Sequence, residues 1–149
     1  ARTEVACLEF NKANFKALVL SNPQIVMNLL KLFCKRIYDQ NRQFKIILIT
    51  EIPVRICDVF LMYEELSGNS FNKDDENSKR TYNVKISDIA GWAAIPLDKA
   101  REELSKLMDR GKIEIFEEKI VVSNIHDIRR IVDNYYMKVE AAAKAASTL

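Results

Sequence analysis

The sequence predicts a mainly α protein with a small β component, in which one long helix precedes a compact, largely helical domain. Three observations predict it. From Asn22-Pro23 to Thr50 an apolar pattern of helical spacing runs without a breaker for about 28 residues, roughly 42 Å at 1.5 Å per residue. Between Ser87 and Arg110 two shorter amphipathic segments meet at a three-residue corner closed by Pro96. Beyond Gly111 the pattern changes to alternation. Ile113, Ile115, Ile120 and Val122 flank Glu117-Glu118, which is hairpin chemistry rather than helix chemistry. Helix, corner, helix and hairpin in that order make a winged helix-turn-helix. Its second helix ordinarily enters a major groove, so the layout points to a DNA-binding regulator.

Bulk properties narrow the classes. At 149 residues, the chain holds one ordinary domain or a small domain joined to a long helix. An apolar fraction of 48% with 30% charged residues is that of a soluble globular protein. No apolar run approaches the roughly 18 residues of a membrane span. Net charge is only +2. Between Lys79 and Val122 nine basic residues face eight acidic ones. Attraction to a polyanion must therefore come from the arrangement of charge, with modest, salt-sensitive affinity. Cys7, Cys34 and Cys57 are odd in number and set among apolar neighbours, which predicts reduced core thiols in a cytoplasmic protein rather than a disulfide framework. The chain starts Ala1-Arg2-Thr3 with no initiating methionine and no apolar signal region, so it is expected to be part of a longer protein.

Taken in order, Val5 to Phe10 alternate loosely and predict a strand, after which Asn11 opens a short helix to about Leu20. A lone strand cannot pair its backbone, so residues 1–21 are expected to end a sheet lying upstream. The long helix and a hinge occupy residues 22–51. Val26, Leu30, Phe33, Ile37, Gln40, Phe44 and Ile47 follow at alternating steps of four and three, a heptad seam suited to a parallel homodimer. Leu29, Leu32, Ile46, Leu48 and Ile49 supply a second apolar side for packing within the chain. Gln40 breaks the seam. A polar group there sets register or oligomeric state, or contacts a ligand, and Asn41 stands beside it.

Glu51-Ile52-Pro53 breaks the helix, because proline disfavours helical geometry at the residue before it. Residues 52–140 form the second domain. It opens with a helix from Val54 to about Leu66 carrying Ile56, Val59, Phe60 and Tyr63 on one face. A polar loop, Ser67 to Arg80, follows with Gly68, Asn69, Asn72, Asp74, Asp75, Glu76 and Asn77. It lacks the glycine and terminal glutamate of an EF-hand and is expected to be a solvated linker. Thr81 to Lys85 predict a short strand. Ser87 can cap a helix from Asp88 to Ala94, Pro96 starts a second that runs to Arg110, and Gly111 stops it. After the hairpin, Ser123 or Asn124 caps a last helix to about Lys138, with Ile125, Ile128, Ile131, Val132 and Tyr135 inward. Residues 141–149 are an alanine-rich tail. Trp92 is expected to pack the first helix of the motif. The single histidine, His126, has no nucleophile or metal-ligand cluster beside it, so neither an enzyme nor a metal site is expected.

In order and spacing these segments resemble the catabolite-activator and fumarate-nitrate-regulator (CRP/FNR) family of bacterial transcription factors over about 135 residues. Ala1-Arg2-Thr3 and Val5 to Phe10 look like the last strand of that family's cyclic-nucleotide-binding barrel. Asn22-Pro23 with Lys35-Arg36-Ile37 resembles its dimerisation helix, and Ile49 to Pro53 its interdomain hinge. Arg55-Ile56, Ile86 to Leu107, Arg110-Gly111 and Lys119-Ile120-Val121-Val122 resemble its DNA-binding domain. The resemblance implies an effector-responsive dimer on double-stranded DNA, with RNA polymerase a further partner. It also implies that Gln40 and Asn41 contact the effector. The cofactor stays unassigned, since the barrel that would hold a cyclic nucleotide or other small effector is almost wholly absent.

At the family's base-reading positions this sequence carries Leu97, Asp98 and Glu102 in place of arginine, glutamate and arginine. Leu97 offers a thymine-methyl contact and the acids can accept from cytosine. Lys99 and Arg101 are the nearest replacement readers, with Lys85, Ser87 and Lys119 facing phosphate. The acids can instead pair along the helix with Lys99, Arg101 and Lys106. The alternative function is therefore a dimeric protein-interaction module whose winged helix has lost DNA binding.

Overall fold

The computed structural model describes residues 4–67 and 79–146. The chain divides after Asn41 into two compact units. In the first, residues 4–10 have no regular structure and are exposed. The strand expected over Val5 to Phe10 is not seen, and among the described residues no strand pairs with that segment. Helix α1 spans Lys12–Ser21, and Asn11 caps it by accepting the Asn14 amide at 2.8 Å. Helix α2 spans Pro23–Leu48 and crosses from the first unit into the second. It stops two residues before the expected Thr50. No residue of α1 is buried.

The second unit contains a hydrophobic core. Helix α3, Ile52–Leu66, supplies its centre through Ile56, Val59, Phe60 and Met62. Around it lie strand β1 (Arg80–Tyr82), helices α4 (Ile86–Ala93) and α5 (Leu97–Asp109), strands β2 (Ile113–Ile115) and β3 (Ile120–Val122), and helix α6 (Ile125–Ala146). The sheet is antiparallel in the order β1-β3-β2, with Ile113 opposite Val122 and Arg80 on the other side of Val122. Burial of Ile113, Ile120 and Val122 fastens the hairpin to the core. The expected strand over Thr81 to Lys85 is displaced to Arg80–Tyr82, because β3 offers only three ladder positions.

The helix ends show why the corner forms. Ser87 is not the cap of α4. Lys85 holds that position in extended geometry and its amide donates to Asp88 Oδ2 at 2.8 Å, half of a capping box, so Ser87 lies in the first turn. Ala94 ends α4 in left-handed geometry (φ 51°), with the Ile95 amide returning to the Ala90 carbonyl at 3.1 Å. Pro96 precedes α5 as its cap residue. At the far end the Gly111 amide donates to Met108 O and the Lys112 amide to Leu107 O, a Schellman pair that requires the positive φ of Gly111 (66°). Asn124 caps α6 by accepting from the His126 amide at 2.9 Å. Alanine's high helix propensity carries α6 past Lys138 to Ala146, through most of the expected tail.

The segment between α2 and α3 is pinned from several sides. Arg55 donates through Nε and Nη2 to the Ile49 carbonyl at 3.0 and 2.7 Å, and through Nη1 to the Ala93 carbonyl at 3.2 Å. Thr50 bonds the Tyr135 hydroxyl through its amide and its side chain, each at 3.1 Å. One guanidinium thus ties the end of α2 to the corner between α4 and α5. Trp92 is half-buried against the core. Only Cys57 is a core thiol, since Cys7 and Cys34 are exposed on an irregular segment and an outward helix face. The acidic segment 68–78, on which the expected linker mostly falls, residues 1–3 and the last three residues lie outside the described residues. Among the described residues no single helix is long and apolar enough to cross a membrane, and no cluster of three metal-ligating side chains occurs.

Candidate nucleic-acid interface

The starts of α4 and α5 and the hairpin β2–β3 converge on one groove of about 430 Å3, lined by Lys85, Ile86, Ser87, Leu97, Arg101, Ile115, Phe116 and Glu117. Four residues singled out from the sequence, Lys85, Ser87, Leu97 and Arg101, therefore meet there from the starts of two helices. Ser87 lies in the first turn of α4, and Leu97 opens α5, where first-turn amides have no helical acceptor. Leu97 is 40% exposed and Phe116 47%, so the groove presents apolar side chains among Lys85, Arg101 and Glu117. The Phe116 amide donates to the Lys119 carbonyl at 2.9 Å, which closes the hairpin turn and sets those residues opposite each other. The Lys119 ammonium then lies 5.1 Å from the centre of the Phe116 ring.

Along α5 the charges are largely engaged with one another. Lys99 Nζ is 2.7 Å from Glu102 and 3.3 Å from Glu103, and Lys106 Nζ is 2.6 Å from Glu102 and 3.0 Å from Glu103. Hydrogen bonds from Lys106, then from Lys99, hold the Glu102 carboxyl down at about 2. Hydrogen bonds to Glu102 in turn raise both lysines above their ordinary values. Glu103 is buried beneath this network. Arg101 is looser, 3.7 Å from an almost fully exposed Asp98. Lys85 reaches across to Glu118 of the hairpin turn at 2.7 Å, which raises the lysine. Of the five expected base readers, Leu97 is exposed, Asp98 and Arg101 are exposed and only loosely paired with each other, and Lys99 and Glu102 are occupied by closer helix ion pairs.

The seam residues of α2 are all exposed, from 37% at Val26 and Ile47 to 64% at Phe44. Gln40 and Asn41 are also exposed. What the sequence did not single out is the anchoring of the lower part of α2. Arg42 forks onto Asp58 at 2.7 and 2.9 Å and onto Glu65 at 2.9 Å. Burial opposes the Arg42 charge, but bonds with Asp58, then Glu65, outweigh it and raise its pKa. Glu64, fully buried, takes Arg80 Nε at 2.7 Å and the Tyr82 hydroxyl at 2.9 Å. Burial, then the bond to Glu64, pushes the Tyr82 phenol well above its ordinary value. The signal for these pairs was Asp58 and Glu64 within a largely apolar helix, since a buried carboxylate requires a partner.

No family sequence model matches the chain, and no curated protein matches it in sequence. Solved structures do match in fold. A CRP-family transcriptional regulator from Thermus thermophilus, TTHB099, superposes with a TM-score of 0.55 at 12% identity, covering 72% of this chain and 53% of its own. A CRP/FNR-family regulator from the same organism, TTHA1359, gives 0.54 at 14%, covering 75% and 56%. CprK complexed with OCPA gives 0.63 at 14%, covering 82% and 55%. At such identities the likeness is one of fold. Over a little more than half the length of these proteins, the chain has the fold of the CRP/FNR-family transcriptional regulators.

Proposed function

We propose that this chain is the carboxy-terminal part of an effector-responsive CRP/FNR-type transcription regulator acting in the cytoplasm as a homodimer. The observation that carries this is the convergence of α4, α5 and the hairpin on one groove, in a fold shared with such regulators. In this reading α4, α5, β2 and β3 are a winged helix-turn-helix, and α5 enters the major groove of double-stranded DNA with its first turn toward the bases. Lys85, Ser87 and Lys119 flank that turn and face phosphate. Helix α2 pairs with its copy through Val26, Leu30, Phe33, Ile37, Phe44 and Ile47, and Gln40 and Asn41 of the same helix contact the effector. RNA polymerase is a further partner of an activator built this way.

The test is a salt titration against random duplex. With Lys85, Arg101 and Lys119 neutralising phosphate in each of two subunits, log affinity should fall against log salt with a slope of about −5. Arg101→Ala should weaken binding, and Lys99→Ala less so, because Lys99 is already paired. A slope of zero, or no binding at low salt, would sink the proposal. The second reading, a protein-interaction module without DNA binding, is favoured by the ion pairs that neutralise the face of α5. It predicts that flat result.

A further inference from the structure

The groove at the start of α5 is apolar where a reader of guanine would be cationic. Leu97 opens the helix, and Ile115 and the half-exposed Phe116 face it from the hairpin. Phe116 contributes no hydrogen-bonding side-chain atom, and Lys119 lies against its ring rather than beyond it. Around these side chains stand Arg101, Lys85, the Ser87 hydroxyl and the first turns of two helices. Glu117 also lines the groove, Asp98 stands beside Leu97, and Glu118 holds Lys85. The rim is thus of mixed charge, Lys85 and Arg101 standing beside Glu117, Asp98 and Glu118, while the floor is apolar.

On duplex DNA, the group that suits such a floor is a small apolar one at the depth of the bases. Duplex DNA presents one such group in the major groove, the 5-methyl of thymine. We propose that Leu97 and Phe116 together form a cup for a thymine methyl group, and that this contact supplies sequence preference in place of a guanine contact. This rests on the DNA-binding function proposed above and extends it to Phe116, on the hairpin.

The test removes the methyl group alone. Duplexes recovered from a random pool by binding to this chain are resynthesised with deoxyuridine for thymidine at single positions, which preserves charge and base pairing. At one position in each half-site, loss of the methyl should weaken binding about fourfold, the equivalent of one buried methyl or methylene. Leu97→Ala and Phe116→Ser, both at exposed positions, should each shrink that ratio toward one and leave the salt slope unchanged. Salt-dependent binding with a ratio of one at every position would overturn the cup while leaving the DNA-binding proposal standing. So would a ratio that neither substitution alters. Absence of binding to every duplex at low salt would overturn both.

Discussion

Replacing Arg42 with methionine should destabilise the second unit by about 3 kcal/mol, as a consequence of how Asp58 is buried. The Asp58 side chain is 6% exposed and its two carboxylate oxygens receive Arg42 Nη1 and Nη2 at 2.7 and 2.9 Å. Methionine fills much of the same volume without the charge, so the main loss is electrostatic. Breaking a buried pair from one side typically costs about 3–5 kcal/mol, because the remaining ion stays desolvated. The lower end applies here: the Arg42 side chain keeps 10% exposure and Glu65, its second partner, is 38% exposed. A loss of that size is a large part of the roughly 5–15 kcal/mol by which domains are stable. Urea denaturation followed by circular dichroism measures it. Asp58→Leu in the same background should recover most of the loss, giving a coupling of at least about 2 kcal/mol. A single-variant loss under about 1 kcal/mol, or strict additivity, would show that α2 is not fastened through this pair.

Three other outcomes follow from the same structure. Glu102 titrates near 2, so its contribution is complete above the ordinary carboxylate range and fades only as pH falls toward that value. A carbon-detected titration should show the low inflection in the wild type and an upward shift in Lys106→Ala, whereas a wild-type inflection near 4.3 would contradict the network. Burial, with the nearby Asp58 charge, pushes the Cys57 thiol up to about 12. Brief native alkylation at neutral pH should therefore label Cys7 and Cys34 and spare Cys57, and equal labelling of all three would refute its burial. Phe33→Asp or Ile37→Asp should yield folded monomers by sedimentation, since both positions are over 50% exposed in the single chain. Persistence of a dimer in both would dismiss the seam.

Local signals were legible in the sequence to the extent that their physics is local. Gly111 stopped α5 where expected because its left-handed geometry depends on the residue itself. The hairpin followed from alternation around Glu117-Glu118, which lie in the turn between β2 and β3, where Ile115 pairs with Ile120. The Val5 to Phe10 strand failed because alternation describes a face but not the partner that a ladder needs. Ser87 was misplaced as a cap because Asp88, at the third helical position, accepts from the Lys85 amide and so starts the helix two residues earlier. Partners across elements were invisible for a different reason. Asp58 lies 16 residues from Arg42, and nothing in spacing pairs them until α2 and α3 pack.

The charges of α5 separate two properties that composition merges. Spacings of three and four make Lys99, Glu102, Glu103 and Lys106 stabilise the helix in isolation, and the two carboxylates shared by these lysines offset much of the field they present to a polyanion. Attraction then falls to cations off that network: Arg101, Lys119 and Lys85. Lys85 is held only by an exposed pair with Glu118, and exposed pairs weaken as salt screens them. These three surround an apolar floor rather than a row of base-seeking donors. A near-neutral face can thus still dock on DNA if its few available cations stand where phosphates pass. In the DNA complex proposed above, the apolar contacts of Leu97 and Phe116 then supply the sequence preference.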